Sequence, residues 1–165
     1  MTTTRIFENT TSLIDIAALG GDSPRPGTTN SPDRRRCPTV LVIDDDPLVR
    51  MVIEAALESF GEFEIWTAGD GATGLDLFES VRPDYVFLDL LIPGKNGFAV
   101  LEDLQRRGDE MDGVRVIVTS GLMGASILER LAALGAPEIL PKPFRLQDLR
   151  QIVVGRADGT PIAAD

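Results

Sequence analysis

The stretch Val40-Leu41-Val42-Ile43-Asp44-Asp45-Asp46 constrains this chain more than any other. Four apolar residues run directly into three carboxylates. A run without polar alternation suits a strand covered by helices on both faces, as in a parallel sheet. Such strands release their polar residues at the carboxyl end, where open α/β sheets bind ligands. Crowded carboxylates repel and resist joint ionisation unless a cation neutralises them. Oxygen-only ligands point to Mg²⁺ or a similar hard divalent ion.

From Val40 onward the pattern alternates strand and helix five times. The first strand, Val40–Ile43, leads into a helix opened by Pro47, with Leu48, Val49, Val52, Ala55, Ala56 and Phe60 at helical spacing up to Gly61. Phe63–Ala68 is the second strand, and Gly71–Val81 a helix carrying Leu75, Leu77 and Phe78 until Arg82-Pro83 stops it. Tyr85–Asp89 is the third strand, apolar until its last residue, followed by a helix over Gly97–Arg107 with Phe98, Val100, Leu101 and Leu104 inward. Val116–Ser120, Met123–Leu134, Glu138–Leu140 and Leu146–Val154 complete the series. This order predicts an α/β fold with a doubly wound, five-stranded parallel sheet.

The residues ahead of Val40 differ in kind. Gly20 to Pro38 is rich in Gly, Pro, Ser, Thr and Asn and reads as a linker. Before it, Ser12 and the apolar run Leu13 to Leu19, stopped by Gly20, carry a weak helix signal, too short to stand alone. The expected organisation is a flexible extension over 1–37, one domain over 38–155 and a tail over 156–165. At 165 residues, one domain has ample length for a core.

Composition removes whole classes of function. A net charge of −10 argues against direct nucleic-acid binding, which needs clustered Lys and Arg. Cys37 is the only cysteine, so no internal disulfide forms, and a reducing cytoplasm is the expected compartment. The chain has no histidine, which excludes catalytic triads and phosphohistidine chemistry of its own. No window approaches the roughly 20 apolar residues of a membrane span, and the N-terminus lacks a secretory pattern, so no membrane insertion is expected.

Four of the five strands end in functional groups: Asp44 and Asp45, Asp89, Ser120, and Lys142. In a parallel sheet these ends share one edge, so residues distant in sequence converge. Three carboxylates, a hydroxyl, an ammonium and a metal meet the needs of phosphoryl transfer. Metal and lysine neutralise the phosphoryl oxygens, the hydroxyl donates a hydrogen bond, and one carboxylate attacks.

With these residues in place, the chain resembles the receiver domain of two-component response regulators, of the single-domain chemotaxis-regulator kind. The resemblance rests on Val40 to Pro47, Tyr85 to Gly97 (YVFLDLLIPGKNG), Val116 to Gly121, and Leu140-Pro141-Lys142-Pro143-Phe144, all in the family's order. It covers about Pro38 to Gly155. It implies a flavodoxin-like (βα)5 fold with strand order 2-1-3-4-5, and Asp89 as the aspartate phosphorylated by a partner histidine kinase or phosphotransfer protein. Asp45 then ligates Mg²⁺ directly, Asp44 acts through bound water, and Asp89 and the Leu91 backbone carbonyl complete the protein's share of the shell. Ser120 corresponds to the switch hydroxyl, Lys142 to the lysine that pairs with the phosphoryl group, and Lys142-Pro143 to a cis peptide bond. The implied output is a partner-binding face on the fourth helix, fifth strand and fifth helix. No further domain is expected after Gly155. The domain catalyses only its own phosphorylation and dephosphorylation and is not otherwise an enzyme.

Some positions depart from the family or admit a second reading. Ile139 stands where the family commonly has an aromatic switch residue, which puts the usual coupling from Ser120 in doubt. Thr119 competes with Ser120 for the hydroxyl role, because strand alternation lets only one face the site; the step back from Lys142 and the small Gly121 favour Ser120. Asp46 before Pro47 reads as a helix cap, and Asn96 as a loop residue without a role. Leu91 and Leu122 flank the phosphoryl site in related receivers, and being apolar they are expected to hinder water and lengthen the phosphorylated state. Two rival readings remain: a haloacid-dehalogenase-type phosphatase using Asp44 and Asp46, which has no use for Asp89, and a receiver-like scaffold that is never phosphorylated.

Overall fold

Residues 4–6, 37–121, 124–135 and 138–154 are described by the computed structural model. Strand β1 is Thr4–Ile6, β2 is Thr39–Ile43, β3 is Glu64–Ala68, β4 is Tyr85–Asp89, β5 is Arg115–Ser120 and β6 is Glu138–Pro141. Helices α1 (Pro47–Phe60), α2 (Gly71–Val81), α3 (Gly97–Arg106), α4 (Ala125–Ala133) and α5 (Leu146–Val153) alternate with them, and a short 3₁₀ turn, Gly108–Met111, follows α3. All strand pairs are parallel, in the order β1-β3-β2-β4-β5-β6. The expected order 2-1-3-4-5 is present as β3-β2-β4-β5-β6.

The sixth strand is an addition the sequence reading does not foresee. Thr4–Ile6 pairs with Ile65–Thr67 on the outer edge of β3. An edge strand presents a row of open N–H and C=O groups, which any extended segment can satisfy. The helical signal over Ser12–Leu19, most of the linker, Leu122, Met123 and the tail from Gly155 lie outside the described residues.

Side-chain alternation along the strands divides the interior into two clusters. Leu41, Ile43, Val86, Leu88 and Val118 face α2, α3 and α4, where they meet Leu75, Phe78, Val100, Leu104 and Leu131. Val40, Val42, Ile65, Phe87 and Ile117 face α1 and α5, meeting Ile53, Leu57, Leu149 and Ile152. Nearly all of these positions are fully buried. Helices therefore cover both faces of the sheet, as the uninterrupted apolar strands require.

Helix α1 departs from its sequence reading in which stripe it buries. Ile53, Ala56 and Leu57 are buried, whereas Leu48 and Val52 are 67% and 57% exposed. The helix is apolar over two adjacent stripes, and periodicity alone does not say which of them meets the sheet. Caps fix the helix starts. Asp46 Oδ1 accepts from the Leu48 N–H at 2.8 Å, Asp70 Oδ1 from Ala72 and Thr73 at 3.0 and 2.9 Å, and Asn96 Oδ1 from Ala99 at 3.0 Å. Arg82 ends α2 in the left-handed region at φ 46°, its N–H returning to the Phe78 carbonyl, before Pro83 forbids continuation.

Candidate functional site

Strand order reverses at β2: the connection after it leads to β3 on one side, and the next crosses back to β4 on the other. That reversal opens a crevice at the carboxyl edge of the sheet. Ile43 pairs with Leu88, so Asp44 leaves β2 beside Asp89, the last residue of β4. Beyond the ladder, the Asp44 N–H still reaches the Ala68 carbonyl at 3.1 Å. One carboxylate oxygen from each of Asp44, Asp45 and Asp89 lies within 4.8 Å of the others. Asp44 and Asp89 are buried and Asp45 is exposed.

Lys142 closes the group. Its ammonium donates to Asp44 Oδ2 and to Asp89 Oδ2, both at 2.6 Å. The lysine follows β6 directly, and its N–H donates to the Ser120 carbonyl at 2.9 Å, which ties the end of β6 to the end of β5. The Lys142–Pro143 peptide is cis. The remaining carboxylate oxygens are also engaged: Asp44 Oδ1 accepts from the Asp46 N–H at 3.1 Å, and Asp89 Oδ1 from the Leu91 N–H at 3.0 Å. Asp45 has no such partner among the described residues, so its carboxylate is the open one.

The electrostatics follow from burial. Desolvation is the largest influence on Asp44 and pushes its carboxyl above the ordinary range, against the lowering effect of the Lys142 hydrogen bond. Burial pulls the Lys142 ammonium down, but hydrogen bonds and charge from Asp44 and Asp89 more than offset it, leaving the group raised and protonated at neutral pH. The site therefore carries more carboxylates than cations. A set of oxygen donors with an uncompensated negative charge fits a hard divalent cation.

The flanking backbone is held closely. A Cβ on Gly97 would lie 2.2 Å from the Asp89 carbonyl oxygen and 2.6 Å from Leu90 Cα, so only glycine lets α3 start here. Asn96, which the sequence reading leaves without a role, caps that helix. An Asn directly before Gly97 and the helical spacing of Val100, Leu101 and Leu104 is the signal that finds it. Asp46 caps α1 and is absent from the carboxylate cluster.

Thr119 and Ser120 are both buried. Thr119 is level with Asp89, while Ser120 is level with Pro141, one residue further along the sheet edge. Alternation sets Thr119 on the α1/α5 face of β5, with Ile117, and Ser120 on the α2–α4 face, with Val118. Ile139 is half-buried and packs against the α2–α4 cluster, on the same face as Ser120. Around the opening the surface is apolar: Leu91 is 58% exposed, and Leu48, Val49, Val52, Pro143 and Phe144 line a groove beside Lys142.

Comparison with known proteins bears on the family and the fold. The family model described as "Response regulator receiver domain" matches residues 40–154. Among curated proteins, "Response regulator MprA" of Mycolicibacterium vanbaalenii is 39% identical over 112 residues, covering 67% of this chain and 46% of that protein. The Mycobacterium avium protein of the same name is 38% identical with the same coverage. The chain thus spans about half the length of the curated relatives it matches. Among solved structures, the chemotaxis protein CheY4 of Vibrio cholerae superposes with a TM-score of 0.66 at 23% identity, covering 72% of this chain and 97% of that one. The signal receiver domain of a DNA-binding response regulator from Colwellia psychrerythraea gives 0.62 at 27% identity, covering 70% and 97%.

Proposed function

The chain belongs to the response regulator receiver domain family of two-component systems, and on that premise we propose that it is a phosphorylation switch with Asp89 as phosphoacceptor. The observation that carries this reading is the convergence of three carboxylates within 4.8 Å, two of them bridged by Lys142. In this reading the phosphoryl donor is the phosphohistidine of a partner kinase or phosphotransfer protein. A carboxylate oxygen of Asp89 attacks phosphorus in line, the P–O bond forms as the P–N bond breaks, and the partner's imidazole leaves with its electron pair. Asp45, Asp89 and the Leu91 carbonyl would hold Mg²⁺ directly and Asp44 through water, and the bound ion would supply charge neutralisation for the phosphoryl oxygens. Lys142 turns from bridging two carboxylates to pairing with the phosphoryl oxygens. Leu91, exposed two residues after Asp89, and the groove of Leu48 and Val52 beside Lys142 are apolar surfaces that a docking partner covers in this reading, excluding water from the transfer.

The added group carries about −1.5 to −2 charge, enough to bias a balanced loop and helix. Ser120 is assigned the switch hydroxyl, because it lies one step beyond Asp89 along the sheet edge, its carbonyl accepts from the Lys142 N–H, and it shares a face with Ile139. The output surface in this reading is α4, β6 and α5. Ile139 fills the aromatic position with an aliphatic side chain, so the coupling runs through displacement of a branched residue rather than rotation of a ring. Because a histidine kinase draws on ATP, the reading assigns the reaction to the cytoplasm. The domain promotes only its own phosphorylation and dephosphorylation. The phosphatase alternative loses support from Asp46, whose carboxylate is committed to capping α1.

The test is intact mass after incubation with Mg²⁺ and acetyl phosphate or phosphoramidate. Uptake of one phosphoryl group by the wild type and none by Asp89→Asn is expected. Uptake that survives in Asp89→Asn refutes the assignment. Slower uptake or response in Ser120→Ala than in Thr119→Ala is expected, and the reverse order transfers the switch role to Thr119.

A further inference from the structure

We propose that Arg50 is a positioning residue for the divalent-cation site, aiming the Asp45 carboxylate by holding the peptide in front of it. The proposal rests on the metal reading above and adds a residue outside the motif segments that define the family resemblance. Arg50 lies in the first turn of α1, half-buried. Its Nη1 donates to the backbone carbonyl of Asp44 at 2.7 Å, reaching back past the start of its own helix. The guanidinium lies over Gly69, where a Cβ would stand 3.5 Å from Nη1. Among the described residues no carboxylate forms an ion pair with it, so its role is not that of a surface salt bridge.

The carbonyl it holds is a particular one. The Asp44 N–H is tied to Ala68 on β3, and the Asp44 carbonyl to Arg50. The residue is therefore anchored on both sides after the strand ladder has ended at Ile43. The carbonyl belongs to the peptide joining Asp44 to Asp45, so its orientation sets the direction in which Asp45 leaves the chain. Lys142 and backbone N–H groups fix Asp44 and Asp89 from their side-chain ends. The exposed Asp45 carboxylate has no partner among the described residues, and its backbone alone aims it. A charged donor gives a hydrogen bond stronger than a neutral pair. Outer partners that hydrogen-bond a ligating side chain commonly carry a 10- to 100-fold share of metal affinity, and Arg50, acting through the backbone, is placed at the lower end of that range.

The experiment is calorimetric titration of the full chain with MgCl₂, comparing wild type, Arg50→Met and Arg50→Lys, with a thermal melt of each. Arg50→Met keeps an unbranched apolar stem and removes the donor together with the guanidinium atoms over Gly69. It is expected to weaken Mg²⁺ binding on the order of 10-fold with little change in melting. Arg50→Lys restores a shorter donor and is expected to fall between the two. Mg²⁺ binding by Arg50→Met as tight as wild type, or tighter because a nearby cation has gone, overturns the proposal. So does Arg50→Lys binding no better than Arg50→Met. Should Arg50→Met fail to fold, Arg50→Lys is compared with wild type directly: weaker binding supports the proposal and unchanged binding overturns it. Absence of Mg²⁺ binding by the wild type removes the metal reading itself, which separates the two failures.

Discussion

Replacing Gly97 by Ala tests how rigidly the β4–α3 connection holds the site. The new Cβ would stand 2.2 Å from the Asp89 carbonyl oxygen, 2.6 Å from Leu90 Cα and 2.9 Å from the Asp89 carbonyl carbon. All three atoms are backbone, so no rotamer change relieves the overlap. Either α3 or the loop carrying Leu91 moves by about 1 Å to reach ordinary contact, and overpacking of this kind costs about 1–3 kcal/mol. Alanine offers up to about 1 kcal/mol of helix propensity in return, less in a first turn. The expected net loss is about 1–2 kcal/mol in urea unfolding followed by circular dichroism, together with weaker Mg²⁺ binding. Gly74→Ala is the control. Its Cβ meets the Ile43 side chain at 2.6 to 3.0 Å, away from the loop, so it costs stability with a smaller change in Mg²⁺ affinity than Gly97→Ala. A Gly97→Ala protein as stable as wild type, with the same Mg²⁺ affinity, refutes the argument that this backbone contact positions the loop.

Three further outcomes are expected. Lys142→Met leaves the buried Asp44 and Asp89 carboxylates without their shared cation and destabilises the metal-free protein by roughly 3–5 kcal/mol; millimolar Mg²⁺ recovers much of this in a thermal melt. Asp70→Ala loses about 1 kcal/mol at pH 7, the worth of an N-cap. Hydrogen bonds, first from the Thr73 N–H, hold the Asp70 carboxyl below its ordinary value, so its stabilisation is present above about pH 4 and fades as pH falls through the lowered folded value. The deficit of Asp70→Ala in urea unfolding therefore shrinks at low pH, and a constant deficit contradicts the capping argument. Leu91→Asn exchanges an exposed apolar side chain beside Asp89 for one that can orient water, and the phosphorylated protein loses its phosphoryl group faster than wild type by intact mass; an equal rate removes Leu91 as a barrier.

What could be read in the chain beforehand follows how local each signal is. Val40–Ile43 and Tyr85–Asp89 announce themselves because both faces of a central strand are apolar. The carboxylates are legible because they end those strands. Asp46 declares its cap through Pro47. Helix α1 is harder: Leu48, Val49, Val52 and Ile53 are all apolar, and only the position of α5 and the sheet decides that Ile53 turns inward. Thr4–Ile6 has no pattern of its own, since its partner groups belong to β3. Arg50 is silent for a related reason: it binds a backbone carbonyl, which every residue carries. The ion pair of Arg115 with Glu138, buttressed by the Tyr85 ring and the Ile152 carbonyl, joins residues on different strands whose adjacency only the sheet creates.

The division of the interior by strand alternation has a consequence for how substitutions combine. Val42 and Val118 lie one strand apart from common neighbours yet belong to separate clusters on opposite faces. Truncations on different faces share no side-chain contacts, so their stability effects should sum, whereas Val118 with Leu88, or Val42 with Phe87, share a cluster and should interact. A double-mutant cycle across the sheet thus reads near zero and one within a face does not. For a sequence that diversifies, this means two cores that can drift independently, joined by a backbone that holds the carboxylates in register.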